Sequence, residues 1–101
     1  MVFLQATIEL RGAGLGDFLE IMGEAVPILE KQGMKLVCAL IQRTGRLNTV
    51  IDLWQLDDFN HFDRALAVLA AHKDFERIKE VLDRTIERET LVFAAKAPYM
   101  R

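Results

Sequence analysis

Apolar and polar positions alternate from Val2 to Arg11. Val2, Leu4, Ala6, Ile8 and Leu10 fall on one side and Gln5, Thr7, Glu9 and Arg11 on the other, a period of two that predicts a half-buried strand. Gly12-Ala13-Gly14-Leu15-Gly16 interrupts it. The period then changes. Phe18, Leu19, Met22, Val26 and Leu29 recur at helical spacing and predict a helix over about 17–32, with Asp17 capping its start and Gly33 supplying a left-handed residue at its end. Pro27 lies inside this helix, where its ring meets the carbonyl four residues back. That residue is Gly23, whose missing side chain leaves room for a kink.

Two further strands are predicted over about 34–43 and 47–56, joined through Thr44-Gly45 as a hairpin. Asp57 and Asp58 offer a helix start. Phe59, Phe62, Leu66 and Leu69 form one apolar stripe, and Phe75, Ile78 and Leu82 form another after a break near 71–74, so two short helices fit better than one long one. A last strand over about 87–96 carries Leu91, Val92 and Phe93. The order β-α-β-β-α(α)-β predicts an α+β, ferredoxin-like β-α-β-β-α-β fold, with a four-stranded antiparallel sheet covered by helices on one face only. At 101 residues, this is one domain.

The uncovered face sets an expectation about assembly. With the apolar side of the first strand turned to the helices, Phe3, Gln5, Thr7 and Glu9 face outward. The matching outward set in the third strand is expected to be Asn48, Val50, Asp52 and Trp54, leaving Leu47, Ile51 and Leu53 for the helices. Glu89, Leu91 and Phe93 share a parity in the fourth strand. A face carrying Trp54, Phe3 and Phe93 is too apolar to leave in water, which predicts a homodimer formed through sheet faces.

Composition narrows the field. Hydrophobic residues at 51% and charged residues at 28% are globular values and argue against disorder. A net charge of −2, with 13 basic residues spread among 15 acidic ones, offers no basic face for nucleic acid. No apolar run approaches the roughly 20 residues that span a bilayer, and the N-terminus has neither a secretory nor an organellar signature. The lone Cys38 cannot form an internal disulfide and fits a reducing compartment, so the cytoplasm is expected.

Candidate chemistry is sparse. The glycine run falls short of a dinucleotide fingerprint because Asp17 stands where its third glycine belongs, and a carboxylate there repels a pyrophosphate. His61 and His72 lack the i, i+4 spacing of a helical metal site and flank a helix break; no metal is expected. Both read first as surface residues, although His61, beside Phe62, is placed to reach a cavity. Cys38 reads as a buried, inert thiol, and the chain contains no serine for a triad. The most interesting set is Trp54, Asp52, Asn48 and Glu9, which adjacent central strands bring together. Two readings stay open: a salt-bridged interface in which Arg11, Arg43 or Arg88 pairs the carboxylates, or a polar pocket wall with a carboxylate of raised pKa able to accept a proton.

The stretch Gly45-Arg46-Leu47-Asn48-Thr49-Val50-Ile51-Asp52-Leu53-Trp54, followed by Arg64-Ala65 and Phe75, resembles the NIPSNAP domain, as does the opening Ile8-Glu9-Leu10-Arg11 with its Phe18-Leu19 helix. The resemblance spans nearly the whole chain. One departure is that Gly12-Ala13-Gly14 stands where the family tends to carry an aromatic residue, which puts any role of that ring in doubt. The resemblance implies a dimeric α/β barrel, in a superfamily that includes antibiotic-biosynthesis mono-oxygenases and polyketide cyclases working without metal or cofactor. On that footing the expected function is a cofactor-independent enzyme acting on an aromatic or polyketide-like small molecule. Asp52, Glu9 or His61 would accept a proton, Trp54 and Asn48 would contact the ligand, and Arg64 would stabilise an anion. The alternative is a non-catalytic ligand-binding or interaction module built from the same residues.

Overall fold

A computed structural model describes residues 1–101. Its elements run β1 (Val2–Leu10), α1 (Leu15–Glu30), β2 (Lys35–Ile41), β3 (Thr49–Leu56), α2 (Phe59–Ala70), α3 (Phe75–Thr85) and β4 (Ile86–Ala94). The four strands form one antiparallel sheet in the order β2-β3-β1-β4, the ferredoxin-like α+β arrangement that the pattern predicts.

Local chemistry explains most boundaries. Gly33 adopts φ +88 after α1, where a side chain would be strained, and Asp58 caps α2 by accepting from the His61 amide at 2.9 Å. The start of α1 departs from expectation. Gly14, not Asp17, is its N-cap, and Asp17 sits in the first turn, where its carboxylate meets Arg84 at 2.8 Å. Gly14 suits this corner because a Cβ there would press on the Thr85 side chain at 3.1 Å and on the Arg11 and Thr85 carbonyls at 3.2 Å. The helix then continues through Pro27 to Glu30.

Register corrects the face assignment. Directly opposed residues in a sheet share a face. Leu4 opposes Trp54, Ala6 opposes Asp52 and Ile8 opposes Val50, so Val50, Asp52 and Trp54 lie under the helices and not on the open face. Phe93, Leu91 and Glu89 oppose Leu4, Ala6 and Ile8 and share that covered side. The open face instead carries Ile51 and Leu53 from β3, opposite Thr7 and Gln5, with Cys38 and Leu40 from β2 and Val92 from β4. The cause is hydrophobic: burying Trp54 and Leu56 contributes several kcal/mol, enough to carry Asp52 inside with them.

The core beneath the helices has two parts. A larger cluster joins Leu4, Trp54 and Leu56 to α1, α2 and Ile78 of α3. A smaller one joins Ala6, Ile8, Leu10, Phe18 and Val50. Along β3 the residue between Val50 and Trp54 on this side is Asp52, which stands at the seam.

Candidate functional site

Asp52 has alanines on both sides. Ala6 of β1 and Ala39 of β2 are its cross-strand partners, and their methyl groups offer it no hydrogen bond. The residue is 4% exposed, and no ion pair or hydrogen bond within the protein engages its carboxylate. Desolvation, and secondarily the charge of Glu89, raises its pKa from 3.8 to about 6.

The carboxylate opens into a cavity of about 230 Å³ at the seam of the core. Its floor is Leu4, Ala6, Ile8, Asp52 and Trp54; α1 contributes Phe18 and Met22 and α2 contributes Phe62 and Leu66. Glu89 and Leu91 of β4 form the outer side. Leu66, Glu89 and Leu91 are exposed, so the mouth lies between α2 and the β4 edge. Beside it Phe93 packs edge-on against Phe59 and Phe62, with centroids 5.5 and 6.0 Å away. The cavity thus combines apolar walls with two unpaired carboxylates, one deep and one at the rim.

The other expected site residues lie elsewhere. Glu9 is on the open face, where Arg46 reaches it at 3.1 Å and Arg88 at 3.6 Å. Asn48, at φ +57, bonds its amide to the Gly12 carbonyl at 3.2 Å and lies in the loop before β3. Arg64 is exposed on α2 and pairs with Asp58 at 3.6 Å. His61 is buried, not at the surface, and both ring nitrogens are engaged: Nδ1 accepts from the Asp57 amide at 3.0 Å, and Nε2 donates to the Gln32 carbonyl at 2.6 Å. Of the four residues thought to cluster, only Asp52 and Trp54 share the cavity.

Glu89, Phe62 and Leu66 escaped the sequence reading as site residues. Glu89 did carry a signal, as a charge at the same parity as Leu91 and Phe93 in an apolar strand. No group of three or more His, Cys, Asp or Glu side chains is placed to hold a metal ion, and no helix is long and apolar enough to cross a membrane.

The NIPSNAP family model matches residues 5–100. The chain belongs to the NIPSNAP family. Among solved structures, this NIPSNAP chain is similar to an uncharacterised NIPSNAP domain protein from Burkholderia xenovorans, at 22% identity and TM-score 0.84, covering 100% of this chain and 99% of the other. A NIPSNAP family protein from Agrobacterium tumefaciens strain C58 matches at 16% identity and TM-score 0.85, over 97% of this chain and 94% of the other. SnoaB, a cofactor-independent oxygenase from Streptomyces nogalater, shares the fold at 20% identity and TM-score 0.63, over 98% of this chain and 97% of the other. No curated protein sequence matches the chain. At these identities the structural likenesses establish the fold alone, and NIPSNAP membership by itself leaves the activity undefined.

Proposed function

We propose that this NIPSNAP protein is a cofactor-independent enzyme that binds a ring-bearing, mainly apolar small molecule in the cavity between sheet and helices, with Asp52 as proton acceptor. The observation that carries the reading is an unpaired carboxylate buried in an apolar cavity, with its pKa raised toward neutrality. Asp52 takes a proton from a C–H beside a carbonyl or from a phenolic O–H. The electron pair of the broken bond stays on the substrate as an enolate or phenolate, and the carboxylate becomes a carboxylic acid. Mono-oxygenase, cyclase and isomerase chemistry can all begin with this step. The fold shared with a cofactor-independent oxygenase supports the class and names no substrate. Trp54 is a wall of the site, while Glu9, Asn48, His61 and Arg64 keep structural or surface roles.

We also propose that two copies pair through their open sheet faces in the cytoplasm. The apolar character of that face supports the pairing: Leu40 is 56% and Val92 50% exposed there, beside Ile51 and Leu53.

The test uses 2-tetralone, a neutral two-ring ketone with an acidic C–H, in D₂O. Wild-type protein is expected to speed exchange of that proton, followed by NMR, and Asp52→Asn to slow the catalysed rate about 100-fold or more while the ketone still binds. Binding without catalysed exchange in the wild type would favour the alternative, a non-catalytic ligand-binding module.

A further inference from the structure

Glu89 is a carboxylate at the cavity rim that the chain itself does not neutralise. The basic side chains of α3 and β4 are already engaged elsewhere. Glu87 pairs with Arg46, and Arg88 turns to Glu9 on the opposite face. In α3, Lys79 is held by Asp83 at 2.6 Å, and Arg84 by Asp17 at 2.8 Å and Glu80 at 3.2 Å. Asp83 also borders a shallow depression beside Glu89, but its charge is already answered by Lys79. Partial burial raises the Glu89 pKa, the direction expected of a carboxyl group without a counter-ion.

Deeper in the same cavity stands Asp52, buried and equally unpaired. Of the 17 lining residues 15 are hydrophobic and the other two are these carboxylates, so no Lys, Arg or His faces the space. An entering molecule meets negative charge at the rim and again at the floor, among walls that screen poorly. An anion is repelled twice. A neutral molecule leaves Glu89 without a partner, whereas a positively charged group supplies the counter-ion that the chain omits. The space of about 230 Å³ exceeds the roughly 150 Å³ that holds a benzene, so it suits one or two fused rings.

We propose that the cavity selects an amine-bearing, mainly apolar ligand, with Glu89 holding the ammonium group at the rim while the ring portion extends inward to Asp52. This deepens the reading of the cavity as the substrate site and rests on it. Glu89 is a specificity-determining residue here, acting on which molecules enter.

Three probes sharing one ring system test the idea by calorimetry at pH 7.5: 1-naphthylmethylamine, 1-naphthalenemethanol and 1-naphthoate. The amine is expected to bind at least ten-fold tighter than the alcohol, with the carboxylate weakest. Glu89→Gln should bring the amine to within about three-fold of the alcohol and leave the alcohol's affinity unchanged. Equal binding of amine and alcohol to the wild type, or an amine preference that survives Glu89→Gln, overturns the proposal and leaves the cavity reading standing. Failure of all three probes to bind overturns both.

Discussion

Asp52 sets a stability cost that pH can reveal. Its pKa in the folded chain, about 6, lies above the ordinary 3.8 because the unpartnered carboxylate is desolvated. A group whose native pKa is raised favours the folded state when protonated, so its contribution is intact below about pH 4 and is lost as pH climbs through 6. The full shift corresponds to about 3 kcal/mol. Asp52→Asn is therefore expected to match the wild type near pH 4 in denaturant unfolding and to exceed it by about 2 kcal/mol at pH 8. Equal stability of the two proteins at pH 8 would show that the carboxylate is not desolvated. The same substitution is expected to remove proton acceptance, so stability and activity move in opposite directions at one atom group. Catalysed exchange by the wild type should rise with pH and reach half its plateau near pH 6, since only the ionised form accepts a proton.

At the scale of elements, the order and approximate limits of all three helices and four strands were legible in the apolar periodicities, including the break between α2 and α3. What periodicity left open was which side of β3 faces inward. Thr49-Val50-Ile51-Asp52-Leu53-Trp54-Gln55-Leu56 is apolar on both parities, and an Asp beside Trp54 argues for the wrong side if charge is weighed before aromatic area. Glu9 was thereby grouped with Asp52, although the two lie on opposite faces of adjacent strands. The role of His61 was also hidden, because it depends on a turn 29 residues away. Its ring ties the Gln32 carbonyl, at the α1–β2 turn, to the Asp57 amide at the start of α2, and the Gly33 Cα sits so close that a Cβ would approach the ring at 3.3 Å. His61→Ala leaves two backbone groups without partners and is expected to lower unfolding free energy by about 2–4 kcal/mol, with 2-tetralone exchange per folded molecule unchanged. Loss of exchange at full stability would instead make His61 part of the chemistry.

The whole molecule is a thin slab, 40 × 37 × 18 Å, consisting of a sheet with one layer of helices. It exposes 6522 Å², against about 5,800 Å² expected of a compact monomer of its 11.5 kDa mass. The excess is in line with the proposed pairing, and the open sheet face carries Leu40, Ile51, Leu53 and Val92. Trp54 and Phe93, which the sequence pattern puts on this face, lie beneath the helices, and Ile51, Leu53, Leu40 and Val92 take their place. Light scattering at micromolar concentration is expected to give the mass of two chains. Leu53→Arg, which puts a charge at the centre of that face, should give one chain with an unchanged far-UV spectrum. A wild-type protein of single-chain mass would sink the pairing.

Trp54 is the only tryptophan in the chain, and its indole forms part of the cavity wall two residues along β3 from Asp52. The molecule therefore carries its own optical probe, placed where the proposed events occur. Excited near 295 nm, all indole emission comes from this one site, so water leaving the cavity, a guest arriving or Asp52 losing its charge should each alter its colour or intensity without any label.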